Sequence, residues 1–127
     1  MMLANDSFSK MLGINIKELS LGACTLTMKV NESMTNGFSI GHGGITYSLA
    51  DSALAFASNS HGRKAVSIET SISHLYPIFK DDELTAIATE ENLSNRLGVY
   101  IVRVFNQNQK LVAHFKGTVF RKDENWL

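Results

Sequence analysis

The chain has 127 residues, 44% hydrophobic and 19% charged, with 12 basic side chains against 12 acidic ones and a formal net charge of zero. That length makes one domain, residues 1–127, with apolar material enough for a core but small enough to gain from oligomerisation. The balanced charge argues against a general binder of nucleic acid or of a membrane surface, though a local basic patch can still hold a phosphorylated ligand. The lone cysteine, Cys24, excludes an internal disulfide and any cysteine metal cluster.

In chain order, a short helix is predicted from about Asn5 to Leu12, with Asn5 or Asp6 as N-cap and Gly13 as its stop. The opening residues lack the apolar run of a signal peptide, and no stretch reaches the ~18 apolar residues of a membrane span. With a reduced Cys24 this leads us to expect a soluble, cytoplasmic protein. Ile14 to Val30 alternates through Cys24, Leu26, Met28 and Val30, giving two short strands or one long strand broken near Gly22. Cys24 reads as a small core residue of that alternation. Asn31 to Gly41 is a loop.

From Gly44 to about Ser60 the chain is nearly all apolar, which predicts a buried helix closed by Asn59-Ser60-His61-Gly62. The remainder is β. Ala65 to Tyr76 alternates, with Val66, Ile68, Thr70 and Ile72 on one face and Ser67, Glu69, Ser71 and Ser73 on the other; Pro77 ends it. Leu84 to Glu91 follows the acidic turn Asp81-Asp82-Glu83. Ser94 to Gly98 is a turn, Val99 to Phe105 a strand, Asn106 to Gln109 a hairpin turn, and Lys110 to Arg121 the last strand. The Lys122-Asp123-Glu124-Asn125 stretch is expected to fray. Hairpin-linked strands are antiparallel, so one apolar helix covered by one curved antiparallel sheet is expected, an α+β design.

The chemistry concentrates between Asn36 and Ser60. A polar loop ends in His42-Gly43-Gly44, and the helix behind it carries a single carboxylate, Asp51. Glycines at a helix start leave backbone N–H groups free where the helix dipole is positive, and let a carbonyl approach closely. A lone carboxylate in a buried helix is costly unless it is hydrogen-bonded or used. Together these parts suit a site that steadies a developing oxyanion beside an acid, base or nucleophile. Asn36, in an Asn-Gly pair, reads by itself as a turn residue. No histidine has ligand spacing to His42, so no metal is expected.

His-Gly-Gly with aspartate seven residues later, inside an apolar helix and ahead of four strands, resembles the hotdog-fold acyl-CoA thioesterases, and among them the phenylacetate-degradation, or PaaI, group. The likeness spans nearly the whole chain and continues through Ser48-Leu49-Ala50, Gly98-Val99-Tyr100, Asn106-Gln107 and Gly117. It implies a hotdog fold, with a curved sheet wrapped around one long central helix. It implies homodimers joined edge to edge, paired further into tetramers, with each active site at the dimer interface: a helix tip from one subunit and the acidic residue from the other. It assigns the oxyanion donor to Gly43 N–H, beside Gly44, with His42 and Asn36 arranging the loop or the carbonyl, and it implies that Asn36, at the spacing of an asparagine in related thioesterases, helps to orient water or substrate. Asp51 becomes nucleophile or general base, assisted by Ser67 or else Thr70. Coenzyme A, entering as part of the substrate rather than as a cofactor, is expected at Asn95, Arg96, Leu97, Gly98 and Arg121; arginine suits its phosphates. Gly41 stands where that group has a cysteine, and Glu69 to His74 also departs from it; both bear on acyl preference. The activity implied is hydrolysis of a phenylacetyl, hydroxyphenylacetyl or similar aryl or medium-chain acyl-CoA. A hotdog dehydratase or a non-catalytic acyl-CoA binder are the alternatives.

Overall fold

A computed structural model describes residues 6–37 and 40–126. Helix α1 (Ser7–Leu12) starts at Asp6, whose carboxylate accepts hydrogen bonds from the Ser9 N–H at 3.0 Å and the Ser9 hydroxyl at 2.7 Å. Of the two expected N-caps Asp6 serves; Asn5 lies outside the described residues. Gly13, at φ 73°, ends the helix in the left-handed conformation that glycine adopts without strain. The alternating stretch forms two strands, β1 (Asn15–Ser20) and β2 (Ala23–Lys29), which turn at Leu21-Gly22 and pair antiparallel. Cys24, Leu26 and Met28 all face inward from β2.

The main helix, α2, runs Gly43–Asn59. Leu49, Ala50, Ala53, Leu54, Phe56 and Ala57 are buried along it, so apolar contact surrounds most of its circumference. Four strands follow: β3 (Arg63–His74), β4 (Glu83–Leu93), β5 (Leu97–Phe105) and β6 (Leu111–Asn125). All pairings are antiparallel, in the order β1-β2-β4-β5-β6-β3, and α2 packs against all six strands. This is the α+β arrangement expected from the sequence. Small residues let the helix lie close to the sheet. Ala86 and Ala88 of β4 are fully buried, and a Cβ on Gly117 of β6 would come within 2.5 Å of Leu54 Cδ2.

Three local expectations change. The alternation of β3 is broken by a bulge between Ser67 and Glu69, where Ile68 is the extra residue. The side-chain phase therefore shifts. Ala65 and Ser67 face the helix, and beyond the bulge Ile72 packs on the core while the Thr70 hydroxyl meets that of Tyr47 at 2.6 Å. Val66 and Ile68 are left exposed, so Val66, Ile68, Thr70 and Ile72 do not share one face. The segment Lys122 to Asn125 does not fray: it continues β6, paired with Arg63 and tied by Lys64–Glu124 at 2.9 Å. Gly98 belongs to β5 rather than to the turn before it.

Candidate active site

The loop before α2 is held by backbone. The Asn36 N–H donates to Ile40 O at 2.8 Å, and the Asn36 side-chain oxygen accepts from the Ile40 N–H at 3.3 Å. The His42 N–H donates to Met34 O at 2.8 Å. The other side of the loop is stitched to the segment after β3. The Gly41 N–H donates to Ile78 O at 2.6 Å, and Ile40 bridges Phe79. Gly41 is required by that closeness, because a Cβ there would sit 2.5 Å from Ile78 Cδ1 and closer still to Cγ1.

The helix begins one residue earlier than expected, at Gly43. His42 is its N-cap in extended conformation (φ −67°, ψ 135°) and makes no side-chain capping bond. That side chain therefore leaves the N–H groups of Gly43 and Gly44 to a ligand, at the positive end of the helix dipole. The tip opens into a cavity of about 350 Å³ lined by Ile40, Gly41, Gly43, Thr46, His74, Leu75, Tyr76, Pro77 and Ile78.

His74 was not among the residues singled out by spacing. A Cβ built on Gly43 would lie 3.3 Å from both Cε1 and Nε2 of its imidazole. His42 lies near Gly44, two residues on, with Nδ1 3.9 Å from the corresponding Cβ point there. Two imidazoles thus bracket the helix tip. The link between His74 and Gly43 depends on where β3 ends, which no local motif records.

Asp51 lies eight residues further along α2, half-buried. Burial pushes its carboxyl above the usual aspartate value. It lines a second cavity of about 70 Å³ with Leu54, Ala55, Ser58, Ala65, Ser67 and Val119. Its carboxylate has no hydrogen-bond or ion-pair partner among the described residues. The bulge in β3 is what delivers Ser67 to this cavity, whereas Thr70 is engaged by Tyr47. The two cavities share no residue. Eight helical residues separate Gly43 from Asp51 by about 12 Å along the axis, too far for one chain to set both on a single carbonyl.

The expected coenzyme A residues cluster at the β4–β5 turn and the end of β6. Arg121 donates to Ser94 O at 2.6 Å, and its N–H donates to Arg96 O at 2.7 Å. The Arg96 guanidinium is half-exposed and pairs with Asp123 at 2.7 Å; its hydrogen bond holds the Asp123 carboxyl below the usual range. Arg63, which the sequence reading passed over, organises the turn. It donates to the Asn95 carbonyl at 2.9 Å, the Asn95 side-chain oxygen at 3.3 Å and the Lys122 carbonyl at 3.0 Å. Leu97 is exposed, whereas Gly98 is buried, where a Cβ would meet Tyr100 at 3.0 Å and Val119 at 3.1 Å. Close packing accounts for that glycine.

Residues 38–113 match the sequence profile of the thioesterase superfamily. The acyl-coenzyme A thioesterase PaaI of Escherichia coli is 42% identical over 120 residues, covering 94% of this chain and 86% of that one. The structure of the E. coli PaaI protein from the phenylacetic acid degradation operon superposes with a TM-score of 0.96 at 41% identity, over 98% of this chain and 90% of the other. A variant of the phenylacetic acid degradation protein PaaI from Thermus thermophilus gives 0.89 at 38% identity, over 92% of this chain and 100% of that one. A Streptococcus mutans protein bound to acetyl-CoA gives 0.85 at 25% identity, over 88% and 90%.

Proposed function

The chain belongs to the thioesterase superfamily and is a thioester hydrolase of the PaaI type, and from that premise we propose how its residues divide the work. The thioester carbonyl of an acyl-CoA docks on the Gly43 N–H of one protomer, and Asp51 of a second protomer faces the same carbon. The observation that carries this reading is the separation of the two groups within one chain. Gly43 and Asp51 open into different cavities, and the Asp51 cavity is walled by β3, the edge strand at one end of the sheet.

β3 leaves backbone hydrogen-bonding groups unpaired along its outer edge, with Val66 and Ile68 exposed at 45% and 59%. Such an edge invites pairing with another strand. Two copies joined through β3 bring each carboxylate toward the partner's helix tip, and two such dimers form the homotetramer.

As negative charge gathers on the carbonyl oxygen, the Gly43 N–H and the helix dipole stabilise it. Asp51 takes a proton from water, whose oxygen bonds to the acyl carbon. The C–S bond then breaks, and the sulfur leaves with coenzyme A and receives a proton. Burial makes Asp51 a stronger base than an exposed aspartate. Direct attack by Asp51, followed by hydrolysis of the resulting anhydride, has the same net balance. Ser67, which lines the same cavity as Asp51, assists the carboxylate in this scheme, and Asn36 and His42 shape the loop. Arg96, in the turn with Asn95, and Arg121, held against that turn beside Leu97 and Gly98 at the start of β5, suit the phosphates and pantetheine arm. The helix-tip cavity, with Ile40, Leu75, Tyr76 and Ile78 in its walls, suits an aryl or medium-chain acyl group such as phenylacetyl or hydroxyphenylacetyl. No cofactor is needed. The single domain works in the cytoplasm as a homo-oligomer; among the described residues no helix is long and apolar enough to cross a membrane.

The test is thiol release from a panel of acyl-CoAs, read with an Ellman-type reagent. Asp51→Ala is expected to lose at least ~10²-fold in rate while keeping its oligomer, as removal of a positioned base or nucleophile does. Near-normal turnover in that variant contradicts the assignment. Hydration of an enoyl-CoA without thiol release identifies a dehydratase instead, and binding without either product a carrier.

A further inference from the structure

The imidazole of His74 has no role in the scheme above, yet it occupies the front of the helix tip. In a helix the Cα–Cβ direction tilts toward the N-terminus, the side to which the free first-turn N–H groups also point. His74 Nε2 and Cε1 lie 3.3 Å from the Cβ position of Gly43. The ring therefore lies beside Gly43 at the helix tip, and both residues line the same cavity.

Neither ring nitrogen of His74 is hydrogen-bonded to a protein group among the described residues. Nor is the side chain on a loose segment. His74 closes β3 in register with Ala113, and the next residue, Leu75, donates its N–H to Val112 O at 2.8 Å. The stitching of Gly41 to Ile78 fixes this strand end against the loop carrying the glycines. A polar ring nitrogen is thus held by secondary structure beside a vacant backbone donor.

We propose that His74 is a catalytic residue, donating a second hydrogen bond from Nε2 to the thioester carbonyl oxygen beside the Gly43 N–H. The inference rests on the thioesterase reading. His74 keeps its proton throughout: the attacking water gives its proton to Asp51, and sulfur departs with coenzyme A. The imidazole N–H meets the oxygen more strongly as the carbon becomes tetrahedral, so its effect falls on the chemical step rather than on substrate binding.

The experiment compares His74→Phe, a planar ring without a donor, with His74→Gln, which keeps an N–H. The side chain is exposed, so both are expected to fold, which melting and sizing check. On an acyl-CoA that the wild type hydrolyses, His74→Phe is expected to lower kcat by about 10- to 100-fold with little change in KM, at or below the lower bound of what one oxyanion donor contributes, since the Gly43 N–H remains. His74→Gln should recover part of that loss. A ketone analogue, with CH2 in place of the thioester sulfur and a 13C-labelled carbonyl, gives a readout that a packing role does not move. Its infrared carbonyl band should lie at lower frequency on the wild type than on His74→Phe. Unchanged kcat in His74→Phe, or an identical band on both proteins, overturns the proposal. A wild type that releases no thiol defeats the hydrolytic reading instead, and the carbonyl band then decides the His74 contact by itself.

Discussion

Replacing Gly43 by proline removes one N–H at little cost to the helix start. Proline is favoured at the first position of a helix, where its missing donor would have had no intrahelical partner and its fixed φ suits the turn. It also requires an extended residue before it, and His42 already has φ −67° and ψ 135°. The added ring meets the His74 imidazole, which must yield by a few tenths of an ångström from a 3.3 Å approach. Proline at a compatible site typically stabilises by about 0.4–1 kcal/mol through the unfolded chain, which offsets that crowding and leaves the melting temperature near that of the wild type. Turnover is a different matter. Loss of one oxyanion donor costs about 10²–10³ in kcat, or roughly 2.7–4 kcal/mol of transition-state stabilisation. Gly43→Ala is the control: its Cβ crowds His74 at the same distance but keeps the N–H. Thiol-release kinetics on both variants therefore isolate the donor. Equal turnover in Gly43→Pro and Gly43→Ala would refute the role given to the helix tip.

Gly41→Ala drives a Cβ into the buried Ile78 side chain, and overpacking of this kind costs about 1–3 kcal/mol. It should lower both the melting temperature and kcat; Ile78→Ala in the same chain should restore part of the activity, and additive losses in the double variant contradict the interlock. Asp51 gives a prediction of opposite sign for stability. Its folded pKa is raised, so the folded chain holds that proton more tightly than the unfolded one; the stabilisation is complete below the unfolded pKa and is lost as pH rises through the folded value. Asp51→Asn should therefore be inactive yet melt higher than the wild type near neutral pH, with the gain vanishing in acid. A gain confined to low pH contradicts the stated burial cost.

The hydrophobic run from Gly44 onward, the glycine punctuation and the β alternations made the helix and the strand order readable, because each is a local signal. The bulge in β3 was not. Val66 to Ser73 alternates without interruption in the sequence, and only pairing with β6 shows that Ile68 is the extra residue. The site lost clarity there too, since the bulge decides that Ser67, and not Thr70, reaches the Asp51 cavity. His74 was hidden because a distant strand end brings it to the helix tip. The charged tail looked solvated for want of its partners: Arg63 and Lys64 stand on the neighbouring strand β3, far away in sequence, and they anchor Asp123 and Glu124 as part of β6. Gly98 illustrates the converse, a motif position whose conformation follows from packing against Tyr100 and Val119.

Two-chain chemistry can be read from mixed assemblies. Chains carrying only Gly43→Pro and chains carrying only Asp51→Ala, each with its own affinity tag, are co-expressed, and assemblies holding both kinds of chain are purified through both tags. Each mixed two-fold dimer within them contains one site with both defects and one with neither, so the preparation should recover up to about half the wild-type rate although each parent is inactive. Mixed dimers as inactive as their parents would show that Gly43 and Asp51 act within the same chain.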